Sequence, residues 1–136
     1  DVGQKTLLYF VDAVVTTSGQ NDTLTQGMRW QTFDNKFPCS IFLSQDPIAI
    51  DSVCLDFLSS EPNMGIVKGA PMDNYLIEAA LAPNPPSGTT YKDGYGNAIT
   101  ESLGVHEHWY DAESKEYSRN KGATVGIELV KILYGE

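Results

Sequence analysis

Apolar residues along this chain come in short runs separated by long polar stretches, and the runs follow two different periods. Thr6 to Val15 packs Leu7, Leu8, Tyr9, Phe10, Val11, Val14 and Val15 almost without a break. Such a run reads as a strand buried on both faces, central in a sheet covered by helices. Cys39 to Leu43 reads as a short second strand. The period then lengthens: Ile50, Val53, Cys54, Phe57 and Leu58 recur at helical spacing and mark one buried face. Asp46 stands where the N-cap of that helix belongs, with a carboxylate able to accept first-turn amide hydrogens. Pro47 follows at the first helical position, where its missing N–H costs nothing. The helix is expected to run to about Ser60. A second is expected from Met72–Asp73, turning Tyr75, Leu76, Ala79 and Ala80 inward and stopping at Pro83.

The polar stretches are loops with identifiable punctuation. Residues 16 to 36 are rich in Thr, Ser, Gly, Asn, Asp and Gln. Loops beyond about 15 residues are uncommon without a purpose, so this one is expected to cover or line a site. Trp30 and Phe33 would anchor it to the body. Pro83, Pro85 and Pro86, followed by Asp93-Gly94-Tyr95-Gly96-Asn97, exclude regular structure over residues 83 to 97. Coil or short strands around Val105 precede a polar loop from Asp111 to Lys121. The partial alternation of Gly126 to Ile132 closes the chain as a terminal strand. These elements predict a single α/β domain over residues 1–136, with a mixed or mostly parallel sheet, helices packed on it and long irregular loops.

Composition narrows the partners. With 136 residues and 41% apolar content, the chain can bury one ordinary core. A net charge of −9 with nine scattered basic residues argues against nucleic acid, which needs clustered Lys and Arg. No apolar run approaches the roughly 20 residues that cross a bilayer, so membrane insertion is not expected. A small molecule or a protein remains as partner. The chain opens on Asp1 rather than Met and is expected to be a mature protein or an excised piece. Cys39 and Cys54 are too few to carry an iron–sulfur cluster or a Cys-rich zinc site. They read as buried free thiols, with a disulfide between them left open.

Five places could carry chemistry. His106-Glu107-His108-Trp109 holds both histidines, and in an extended segment alternate side chains share a face. His106 and His108 would then form half of a divalent metal site that Asp or Glu completes. The alternative is a pair of histidines holding loops through backbone carbonyls. Asp12, a carboxylate inside an apolar strand, either lines a cleft at the strand's end or caps a neighbouring loop. Asp46 reads first as a helix cap, and Asp51 falls off the Ile50 stripe. With Asp12 these two could form a carboxylate cluster for a hard cation. Ser87-Gly88-Thr89 offers hydroxyls and free amides to an anion. Asp12, Asp46, Ser87 and Thr89 are therefore the candidate ligand-binding residues. Arg119 could clamp a carboxylate or sit in a surface salt bridge. The phosphate-loop, dinucleotide and Gly-x-Ser-x-Gly patterns do not occur.

Leu8-Tyr9-Phe10-Val11-Asp12-Ala13 and Leu43-Ser44-Gln45-Asp46-Pro47-Ile48-Ala49-Ile50-Asp51-Ser52-Val53 resemble the C-terminal half of the domain of unknown function 362 family. Pro85-Pro86-Ser87-Gly88-Thr89, Leu103-Gly104-Val105-His106-Glu107-His108-Trp109 and Glu116-Tyr117-Ser118-Arg119-Asn120 resemble a Bacteroidetes-type branch of it. The Asp-Pro-x-Ala-x-Asp piece is moderately specific, and the His-Glu-His-Trp piece is specific to the branch. The resemblance implies an α/β fold, the C-terminal part of a larger bacterial protein, and an exported or periplasmic setting. It also implies association with four-iron clusters in some members. This chain lacks the Cys-x-x-Cys-x-x-Cys run, so no cluster carries over.

The expected function is that of a domain binding a small ligand or metal in a redox-associated protein. Its site would lie where the first strand's end, the Asp46 cap and the 83–97 loop converge. One alternative is a metal-dependent hydrolase of a small anionic or sugar substrate. Another is an interaction domain with Trp30, Tyr91, Tyr95, Trp109 and Tyr110 as its partner surface.

Overall fold

The computed structural model describes residues 6–17, 19, 21–23, 25, 27–65 and 71–135. Strand β1 (Tyr9–Ala13) pairs with β2 (Ser40–Ser44), and helix α1 (Pro47–Ser60) follows directly. Helix α2 (Pro71–Ala80) packs on α1, and short 3-10 turns occupy Gln31–Phe33, Pro62–Met64 and Arg119–Lys121. The fold is mixed α/β in one domain. The two strands run antiparallel, with Phe10 opposite Leu43 and Asp12 opposite Ile41. A mixed or mostly parallel sheet is not found among the described residues; the sheet there is this one antiparallel pair.

The apolar run of β1 is buried on one face only. Val11 and Ala13 turn inward with Phe42, while Phe10 is 58% exposed and Leu43 58% exposed on the outer face. Alternation along each strand gives the reason: one face meets α1, and nothing among the described residues is layered on the other. The core gathers under the inner face, from Trp30, Val53, Phe57, Trp109, Tyr117 and Ile127. Phe57 is its hinge point, stacked on Phe33 at 5.4 Å and meeting the Trp109 ring edge-on at 5.1 Å.

Helix α1 begins as its cap residues dictate. Asp46 Oδ1 accepts from the N–H groups of Ile48 at 2.8 Å and Ala49 at 2.9 Å, and Pro47 takes the first position. The second oxygen, Oδ2, accepts from Val105 N–H at 2.8 Å, which ties a distant segment to the helix start. That approach needs Gly104: a Cβ there would run into Asp46 Oδ1 and into the Ile48 side chain. Leu103 N–H is meanwhile donated to the Ala79 carbonyl of α2. Residues 103–105 are thereby held between the ends of both helices, and the two histidines follow immediately.

Three further expectations change. Tyr75 is exposed on α2, because its helical face points away from α1. Residues 126–132 form an extended segment rather than a strand. Side chains supply most of its partners: Asn120 bonds both the N–H and the carbonyl of Leu129, and Glu107 accepts from Ile127 N–H, while the Ile127 carbonyl accepts from the backbone N–H of Arg119. Both cysteines are free, Cys39 exposed and Cys54 half-buried, so neither is a fully buried thiol.

Candidate metal centre

The segment 106–109 is extended, and its side chains alternate as that geometry requires. Glu107 points one way, taking the Ser118 hydroxyl at 2.6 Å and the N–H of Ile127. His106 and His108 point the other way, with ring centroids 5.1 Å apart, toward α1 and the first turn of α2. There they meet Ser52 and Asp56, one turn apart on α1, and Asp73 on α2. Asp73 sits in the first turn of its helix, where the exposed N–H groups favour a negative charge.

Hydrogen bonds on the outer ring nitrogens fix both imidazoles. The Ser52 hydroxyl donates to the Ile48 carbonyl at 2.7 Å, so its single hydrogen is committed. Its oxygen lies 2.8 Å from His106 Nδ1 and can only accept there. Nδ1 of His106 therefore carries the proton, and Nε2 presents a lone pair. His108 Nδ1 lies 2.8 Å from Asp56 Oδ1 and donates to it in the same way. Asp56 is fully buried, and its Oδ2 also accepts from Trp109 N–H and the Tyr117 hydroxyl, each at 2.9 Å. Burial, reinforced by Asp56, pushes the Tyr117 hydroxyl well above its usual range and keeps it a donor. Three donors on one carboxylate are what a charge removed from water requires.

The inner nitrogens converge on Asp73. His106 Nε2 is 3.4 Å from Asp73 Oδ1, and His108 Nε2 is 3.2 Å from each Asp73 oxygen. One ligand-type atom from each of the three residues lies within 4.8 Å of the others. Burial holds the His106 imidazole below its ordinary pKa; Asp73 pulls the other way, and His108 adds to the lowering. His106 thus favours the neutral form that ligation uses. Outer nitrogens anchored to a hydroxyl and a carboxylate, with inner nitrogens facing a second carboxylate, is the second layer typical of metal-bound histidine. The His108 side chain is 31% exposed, which opens one side of the cluster to solvent.

The other candidate residues are engaged elsewhere, each with separate partners. Both oxygens of Asp46 serve the α1 cap and Val105, and Asp12 Oδ1 accepts from Val14 N–H at the end of β1. Ser87 bonds Glu78 of α2 and Thr89 in an exposed loop, while Asp51 is exposed on α1. Arg119 pairs with Glu128 at 3.0 Å on the surface. Trp30 and Trp109 belong to the core, because their rings fill the space around Phe57, so they are not surface aromatics. Burial, and after it Asp51, pushes the Cys54 thiol up to about 11, which keeps it protonated and unreactive.

Ser52, Asp56 and Asp73 escaped the sequence reading. The signal available was Ser52-x-x-x-Asp56, two polar residues on one helical face with apolar Val53, Leu55 and Phe57 around them. Compared with known proteins, the chain matches no family model, no curated protein and no solved structure.

Proposed function

We propose that this chain is a metal-binding domain in which Asp73, His106 and His108 hold one divalent transition metal of the zinc class. The observation that carries the reading is the commitment of both outer imidazole nitrogens as donors, to Ser52 and Asp56. It leaves two nitrogen lone pairs and a carboxylate converging on one point, a donor set that suits zinc and its neighbours better than calcium or magnesium. A cation is the natural partner of three converging acceptors. Ser52 and Asp56 orient the rings.

A metal-dependent hydrolase is the second reading, and one feature favours it. Three protein ligands leave a fourth position, and the exposed edge of His108 gives water a way to it. The metal would polarise that water; Asp73, His106 and His108 would position the metal. The resemblance to the domain of unknown function 362 family belongs to the same proposal. It would place the domain within a larger α/β sheet in a redox-associated bacterial protein, and it supplies no reaction of its own.

The deciding experiment is metal content by mass spectrometry on the chain purified without an affinity tag or chelator. One ion per chain is expected, lost in the H106A/H108A double variant. Ser52→Ala should retain the ion but bind it about 10- to 100-fold more weakly, because the His106 ring loses its anchor. Sub-stoichiometric metal in the wild-type chain, unchanged by the double variant, would sink the reading and leave a proton shared between the histidines and Asp73. Turnover of small esters or phosphoesters by the metal-loaded protein separates the hydrolase from the pure binding domain.

A further inference from the structure

The residue between the two histidines is held as firmly as they are, and by a different part of the chain. Glu107 Oε1 accepts from the Ile127 N–H, and Oε2 accepts from the Ser118 hydroxyl at 2.6 Å. Gly126 lets the backbone come that close. A Cβ there would collide with Ser118 Oγ and crowd Glu107 Oε1, and its φ of +111° is one that side chains rarely tolerate. We propose that Glu107 is a positioning residue of the metal centre, through which metal affinity depends on residues 126–129 being docked. The inference rests on the metal-binding reading above and names what regulates that site.

Three observations carry it. The first is alternation: a backbone rotation that swings Glu107 away from Ile127 also swings His106 and His108 away from Asp73. The second is a parallel route through the core. Ile127 packs there with Trp109 and Tyr117, and both of these donate to Asp56, the carboxylate that fixes the His108 ring. The third is that the segment is lightly held. Ile127 is the one buried side chain of residues 125–132, while Val125, Val130 and Ile132 are exposed. The Leu129 backbone bonds to the Asn120 side chain rather than to a neighbouring strand. A segment with so few buried contacts opens locally at low cost. Docked and undocked are the two states that a metal can bias. Linkage then requires metal and docking to strengthen each other by the same factor.

The experiment titrates zinc into the full chain against a chromophoric chelator. It also follows hydrogen exchange at the Ile127 and Leu129 amides with and without zinc. In the wild-type chain, zinc should slow these two amides about 5- to 10-fold more than those of the β1–β2 pair. Gly126→Ala touches no histidine, yet it should weaken zinc binding by a comparable factor while still taking one ion per chain. In Glu107→Ala, most of the selective slowing should disappear. One zinc per wild-type chain without selective slowing at Ile127 and Leu129 overturns the coupling and leaves the metal centre standing. Uniform slowing across the chain does the same, since that is what stabilising the whole fold gives. Full selective slowing in a folded Glu107→Ala protein overturns the role of Glu107. A wild-type chain that binds no zinc overturns the metal reading and this inference with it. If either variant fails to fold, the wild-type exchange comparison decides.

Discussion

Helix α1 serves two regions that differ in almost every physical respect. One face carries Ser52 and Asp56, both fully buried, each holding an imidazole by a 2.8 Å hydrogen bond. Another carries Cys54 and Leu58, only half-buried against an open apolar pocket. On the polar side, position is set by direction: a hydroxyl, a carboxylate and a tyrosine each have a required partner at a required angle. On the apolar side, packing sets no direction: the rings of Phe33 and Phe42 meet Phe57 at 5.4 and 5.3 Å beside an open pocket. Precision belongs to the first region and room to the second.

The sharpest way to break this contrast is Asp56→Ala. It removes the common acceptor of His108 Nδ1, Trp109 N–H and the Tyr117 hydroxyl, leaving buried donors stranded. Destabilisation of about 3 to 5 kcal/mol is expected, read from the urea midpoint, with loss of metal binding. A cost under about 1 kcal/mol would mean that the polar face is not the more tightly specified of the two.

An intermediate effect should appear with pH in the metal-free protein. Burial lowers the His106 pKa in the folded state, so the unfolded chain binds that proton more readily. Stability from this group is therefore complete above the unfolded value of about 6.5 and is lost as pH falls through the lower folded value. Urea midpoints from pH 8 to 5 should be flat and then decline, and His106→Gln should flatten the decline. Midpoints that rise on acidification would contradict the assignment of His106 as neutral.

The smallest effect is expected on the apolar side. Cys54→Leu adds methyl groups toward the cavity and should stabilise the fold by about 0.5 to 1 kcal/mol, with metal content unchanged. Destabilisation beyond about 1 kcal/mol would show that the space is already filled.

The regions also differ in how far the sequence disclosed them. Helix α1 was legible nearly to the residue, from Asp46 and Pro47 at one end to Ser60 at the other, because capping and periodicity are local. Both strands were legible within a few residues, and so was the shared face of His106 and His108, a consequence of extended backbone alone. Asp73 was visible only as a helix start, and Asp56 was not singled out at all. Their roles arise from contacts 35 and 52 residues away in the chain, which no local pattern encodes.

Local chemistry, then, is what the sequence determined by itself: where helices begin, which side chains alternate, and that two imidazoles point the same way. Tertiary structure alone decided that the strands pair antiparallel, that β1 is covered on one face, and that the second oxygen of Asp46 holds Val105. It also decided that Ser52, Asp56 and Asp73, rather than Asp12, stand around the histidines. The physical reason is range. Backbone propensity and capping act within one turn of chain, whereas a site is made by packing that brings distant turns within hydrogen-bonding distance.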